Sequence, residues 1–112
     1  MSEKIPEEFK RKGFTYELIN RKLHTLLYRQ TDNDRGTVVG YEVFEIRKSK
    51  PGSAVIGGQT VNFKGGERFP PDEAFGYWAY HKPTLNTAKQ KQWNLEFKCH
   101  ILSIMKEYET EE

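Results

Sequence analysis

The sequence predicts an α+β fold: an antiparallel β-meander of three to four strands packed against a C-terminal α-helix. Three observations predict it. Between Phe14 and Arg47, successive runs alternate apolar and polar residues, the period of a half-buried strand. Turn-forming clusters separate those runs, as antiparallel neighbours require. From about residue 84 to 108 the chain is rich in good helix formers and carries apolar stripes at helical spacing.

The elements follow in order. Residues 1–12 read as an N-terminal extension or short helix, with Pro6 tolerated in a first turn and Gly13 ending it. Phe14, Tyr16 and Leu18 alternate with Thr15 and Glu17 as a first strand, and Asn20-Arg21 is the expected turn. Leu23 to Gln30 makes a second strand. Asp32-Asn33-Asp34-Arg35-Gly36 is a turn in which Gly36 is free to take positive φ. Val38 to Arg47 is the strongest strand: Tyr41, Val43 and Glu45 face one way, and Glu42, Phe44 and Ile46 the other.

Residues 48–68 contain Pro51 and five glycines, at 52, 57, 58, 65 and 66. They read as a flexible loop or excursion with one short strand candidate, Gln59 to Lys64. Pro70-Pro71 stops any strand, and Asp72 and Glu73 suit the first turn of a helix that Gly76 soon breaks. Thr84 is a sound N-cap. Residues 93–101, taken alone, alternate like a strand. Their flanks, TLNTAKQKQW and LSIMKEYETEE, decide for a helix. On that helix Trp93, Phe97, Ile101, Ile104, Met105 and Tyr108 share one face, and Ala88, Leu95, Cys99 and Leu102 form a second stripe. Two apolar faces need two things to pack against: the sheet, and either the aromatic segment or another subunit.

The 112 residues suit a single domain, 1–112, whose residues 107–112 form an acidic tail. Seven Phe, six Tyr and two Trp supply a core that a disordered chain lacks. The start, MSEKIPEEFKRKGF, has no apolar signal region, and no window approaches the length of about 20 apolar residues that a membrane span needs. A cytoplasmic location is expected. With Glu107, Glu109, Glu111 and Glu112 set aside, the other 12 of the 16 acids stand against all 18 bases, an excess of +6. That permits contact with nucleic acid without the concentrated stripe typical of it.

The series FTYELI, LLYRQT, GYEVFEIRK, a Gly-rich stretch and then RFPPDEAFGYWAY resembles a recurring type of small protein from tailed bacteriophages and related mobile elements. The resemblance covers roughly residues 14–95. It implies a phage or prophage origin, hence the host cytoplasm, and an α+β fold. It brings no assigned activity, so no functional residue is carried over from it.

No catalytic constellation emerges from the residues. His24, His81, His100 and Cys99 lack metal-ligand spacing, and no cofactor or metal is expected. Asp32-Asn33-Asp34 fails as a calcium loop because Gly36 and Val43 fall where the ligand pattern forbids them. No phosphate-binding glycine motif is present. Glu42 and Glu45 fall on opposite strand faces, and Cys99 reads as a buried thiol. The aromatic segment Phe69 to Tyr80 contains no base, so a core role is favoured, with Phe75 and Trp78 buried, Tyr77, Tyr80 or both half-exposed, and the whole gluing sheet to helix.

Three functions compete. The first is a non-enzymatic accessory protein that binds a protein partner, such as a host or defence complex it inhibits, through Tyr77, Tyr80, His81, Lys82, Arg68, Arg47 and Lys48. A homodimer through the C-terminal helix belongs to the same reading. The second is single-stranded nucleic-acid binding, using the same bases and aromatics. The third is a small enzyme built on His81 with Asp72 or Glu73 near Tyr80.

Overall fold

The structure, a computed structural model, describes residues 4–49, 52–63 and 65–110. In chain order these form strands β1 (Glu8–Arg11), β2 (Phe14–Arg21), β3 (Thr25–Asp32), β4 (Val38–Glu45), β5 (Lys48–Ser49), β6 (Gly52–Ile56), β7 (Gln59–Phe63), β8 (Gly66–Glu67) and β9 (Ala79–Lys82), then helix α1 (Leu85–Thr110). The α+β class is as the sequence predicts: an antiparallel sheet with one C-terminal helix against it. The main sheet has five strands in the order β1-β2-β3-β4-β9. The expected meander is β2-β3-β4, and β1 and β9 extend it at its two edges.

The N-terminal segment corrects the reading of one or two helical turns. Glu8 to Arg11 pair with β2 instead, and the Phe9 ring stacks on Tyr16 at 5.1 Å. Lys12 and Gly13 both take positive φ, 52° and 84°, the two-residue turn whose twist suits a hairpin. Pairing and ring packing override a local preference here. The expected turn at Asn20-Arg21 is likewise displaced. A bulge between Leu18 and Asn20 carries β2 on to Arg21, and the turn follows it, closed by Lys22 N–H donating to Thr25 O at 2.9 Å. Gly36 does take positive φ, 67°.

The sheet is covered on both sides, so the core has two parts. On one face Leu27 and Val43 are buried against Ala88 and Leu95 of α1, with Tyr41, Tyr80, Leu85 and Cys99 at the margin. On the other face Tyr16, Leu26, Tyr28 and Phe44 are buried against Ile5, Ala74 and Ala79, with Phe9, Phe69, Phe75 and Trp78 packed around them. The expected partition of β4 holds: Tyr41 and Val43 face the helix, while Phe44 and Ile46 face away from it. Phe69 is the hub of the second core, its ring 5.1 to 5.4 Å from those of Phe9, Tyr16 and Phe44.

That arrangement corrects the picture of the aromatic segment as glue between sheet and helix. Phe69, Phe75 and Trp78 lie across the sheet from α1, and only Tyr80 joins the helix-side core. Phe75 and Trp78, expected to be buried, are half-buried. The link from β4 to β9 carries the short β5–β8 ladder and the β6–β7 hairpin, so the stretch read as a flexible loop or excursion holds two pieces of regular pairing. Of that stretch, Lys50, Pro51 and Lys64 lie outside the described residues.

Helix α1 starts as expected, Thr87 N–H donating to the Thr84 hydroxyl at 3.2 Å, and it runs through residues 93–101. Its buried stripe is partly polar. Gln92, fully buried, accepts from Asn20 Nδ2 at 3.1 Å. The Glu96 carboxylate accepts from His24 N–H at 3.0 Å and from the Thr25 hydroxyl at 2.8 Å. These bonds fix the helix over the β2 bulge and the β2–β3 turn. Among the described residues no helix is long and apolar enough to cross a membrane.

Candidate functional site

Three of the seven residues expected to contact a partner, Arg47, Arg68 and Tyr77, lie beside Trp78. The Arg47 guanidinium lies over the Trp78 ring, 4.6 Å from its centroid, a cation–π contact strengthened by the half-burial of the ring. β4 delivers Trp78 there: Glu45 N–H donates to Trp78 O at 3.0 Å. Arg68 is tied to the same spot by its N–H, which donates to Arg47 O at 2.8 Å. Lys48 follows Arg47 and pairs in register with Glu67. Tyr77, next to Trp78, is 77% exposed. Arg47 and Arg68 are exposed as well, so the ring, the Arg47 guanidinium, a phenol and a second arginine fall on adjoining stretches of chain. Lys48, one step along the strand, borders instead the hollow that holds Arg21, His24 and Glu67.

Tyr80, His81 and Lys82 are placed elsewhere as well. Tyr80 points to the helix side of the sheet, where the Lys91 ammonium sits 3.9 Å from its ring centroid and its hydroxyl donates to Tyr77 O at 2.9 Å. His81 and Lys82 pair with Glu42 and Tyr41 on β4. A Cβ on Gly40 would come within 2.5 Å of His81 Nε2 and 2.9 Å of Lys82 O, so glycine is what allows the imidazole to fold across β4. His81 Nδ1 then stands 4.0 Å from Glu42 Oε1.

Glu42 is buried, and its Oε2 has no hydrogen-bond partner. Burial pushes its carboxyl up to about 7; Arg11 opposes that rise and Asp72 adds to it. His81 therefore partners Glu42, while Asp72 is exposed with Lys12 Nζ 3.7 Å away. Tyr80 lies on the far side of the sheet. The trio of His81, an acid at 72 or 73 and Tyr80 is thus divided between two faces.

A cavity of about 270 Å³ opens between the sheet and the second half of α1, lined by His24, Glu45, Ile46, Cys99, Leu102, Ser103 and Lys106. Burial, reinforced by Glu45, pushes the Cys99 thiol up to about 11, so near neutral pH it is a protonated, weakly nucleophilic group. The His24 and His100 rings are 6.2 Å apart. Among the described residues no group of three or more His, Cys, Asp or Glu side chains is placed to hold a metal ion.

The second notable surface is the outer face of α1. Trp93, Phe97, Ile101, Ile104 and Met105 are 64%, 57%, 41%, 38% and 53% exposed. This stripe was legible in the sequence from its spacing. The Arg47–Trp78 contact was not, because nothing in a sequence reports that residues on two distant elements will meet.

Comparison of the chain with protein-family models, with curated proteins and with solved structures finds no match.

Proposed function

We propose that the protein is a non-enzymatic accessory protein that binds a protein partner through the surface around Trp78, and that it belongs to the small-protein repertoire of tailed phages, working in the host cytoplasm. The observation that supports this reading is the Arg47 guanidinium held over Trp78, with Arg68 anchored to the Arg47 backbone and Tyr77 exposed beside the ring. Arg, Trp and Tyr are the residues that dominate binding energy in protein interfaces. Here the guanidinium and ring are already ordered against each other, which lowers the entropy lost on contact. Inhibition of a host or defence complex is the concrete form of the reading. A second copy of the chain, taken through α1, completes the set of partners.

A second reading, single-stranded nucleic acid, is favoured by one feature: the Arg47 guanidinium lies over an aromatic ring with Arg68 tied to the Arg47 backbone, a pairing of cation and ring that base-stacking surfaces use. The test is affinity capture from the host with the parent chain and with a folded Arg47→Glu/Tyr77→Ala variant. A protein bound by the parent and lost with the variant is the expected result. Equal capture by both overturns the reading. Oligonucleotide binding that falls steeply with salt and needs Arg47 replaces it with the second.

A further inference from the structure

An exposed apolar stripe on a long helix needs an occupant, and three features of α1 say what it is. The first is the pattern. Trp93, Phe97, Ile101 and Ile104 follow one another at intervals of four, four and three residues, which keeps them on a single line along the helix. The Trp93 and Phe97 rings stack in parallel on that line, centroids 6.0 Å apart. A hollow of about 240 Å³ bordered by Lys22, Trp93, Glu96, Phe97 and His100 opens beside them. Ridge and hollow side by side suit another helix better than a flat surface.

The second feature is area. At the exposures given above, the stripe presents roughly 600 Å² of surface, at the upper end of what a monomer ordinarily leaves uncovered. Two copies meeting face to face bury about 1,200 Å², the lower limit for a stable association. Residues 101–106 of α1 are all exposed, so the second half of the helix has little tertiary support within one chain.

The third is charge. In the first part of α1 the bases Lys89, Lys91 and Lys98 outnumber the single acid Glu96. A parallel pair sets base beside base. An antiparallel pair moves the two basic halves apart, and it also opposes the helix dipoles. Trp93 and Ile104 lie at the two ends of the apolar line, so a two-fold axis between residues 98 and 99 brings Trp93 level with Ile104 of the second copy.

We infer that the protein forms a two-fold symmetric dimer in which the outer stripe of α1 packs antiparallel against the same stripe of a second copy. This rests on the self-association included in the proposed function and adds its orientation and register. It uses a surface separate from Trp78, so partner capture sensitive to Arg47 stands or falls independently.

The test is the solution mass by sedimentation across low to high micromolar concentration, on four chains: the parent, Phe97→Glu, Trp93→Glu, and Trp93→Glu/Ile104→Lys. The parent is expected at twice the mass of one chain. Phe97→Glu, at an exposed position, is expected as a folded monomer, with Ile101→Lys as a second variant should the first fail to fold. Trp93→Glu weakens the dimer by about tenfold or more in Kd, since the position occurs twice per dimer, and the double variant recovers part of the loss because each new acid meets the new base of the mate. A monomeric parent at every concentration overturns the dimer. A dimer indifferent to both Phe97→Glu and Ile101→Lys overturns the surface. A dimer lost with those variants, but not recovered in part by the double variant, overturns the antiparallel register.

Discussion

Trp93 and Phe97 stand one helical turn apart with their ring planes within 2° of each other, on the side of α1 that the sheet leaves uncovered. Leu95, between them in sequence, is 3% exposed and packs on Leu27 and Val43. A single turn of helix thus serves two surfaces, and substitutions on its two sides should separate cleanly. Leu95→Ala is expected to cost about 3 kcal/mol, as buried Leu truncations do. Phe97→Ser is expected to change the stability of a dilute, monomeric sample by no more than about 0.5 kcal/mol. Urea denaturation measures both; equal losses at the two positions contradict the assignment.

Glu42 gives the fold a pH dependence of definite sign. Its folded value, about 7, lies above the ordinary 4.5, chiefly through burial. The folded chain therefore holds this proton more tightly than the unfolded chain does. The resulting stability is complete below about 4.5 and is lost as pH rises through 7. The shift corresponds to roughly 3 kcal/mol at alkaline pH. Glu42→Gln removes the ionisation and keeps the shape. The variant is expected to be more stable than the parent at pH 8, with the gap closing by pH 5. A gap of constant size across that range contradicts the burial argument.

Arg21 and Glu67 hold the N-terminal segment, β2 and β8 together. The guanidinium donates to the carboxylate through two bonds, 2.8 and 2.9 Å, and Ile5 N–H donates to the same carboxylate at 3.0 Å. The Glu67 side chain is 4% exposed and that of Arg21 27%. The Arg21 hydrogen bonds hold Glu67 below the usual carboxylate range, so its contribution is present above that range and is lost as pH falls through the lowered value. Arg21→Met leaves a buried carboxylate without its cation and is expected to cost about 3 kcal/mol. Adding Glu67→Leu should recover much of that loss. A double variant no better than the single shows that the pair's burial is not what matters.

The legible parts of the fold are those where one residue's neighbours in sequence carry the signal. The β4 alternation of Tyr41 and Val43 against Phe44 and Ile46 is a local period, and the Thr84 cap and the α1 stripes are local patterns too. What escaped sequence reasoning was set by distant partners. β1 holds a single large apolar residue, Phe9, and exists because β2 pairs with it and Tyr16 receives the ring. Gln92 and Glu96 place polar atoms in the buried stripe of α1, and their partners, Asn20, His24 and Thr25, lie some 70 positions away in sequence. Part of the aromatic segment, Phe69 above all, is core-forming as its composition suggests, but which face of the sheet it covers depends on the path of the β4–β9 link. Of the expected contact residues, the proposed surface keeps Arg47, Arg68 and Tyr77, adds Trp78, and leaves Lys48, Tyr80, His81 and Lys82 in other surroundings.

The most direct measurement follows Trp93 alone. In a Trp78→Phe chain it is the one remaining tryptophan, since the sequence holds two, and in a single copy it is 64% exposed. Its fluorescence is recorded while the protein is diluted through the range in which a dimer would come apart. The expected result is blue-shifted emission at high concentration that moves to the red on dilution, with Phe97→Glu red throughout. Emission that stays red and unchanged from the most concentrated sample to the most dilute contradicts the claim that the outer face of α1 is a contact surface between copies.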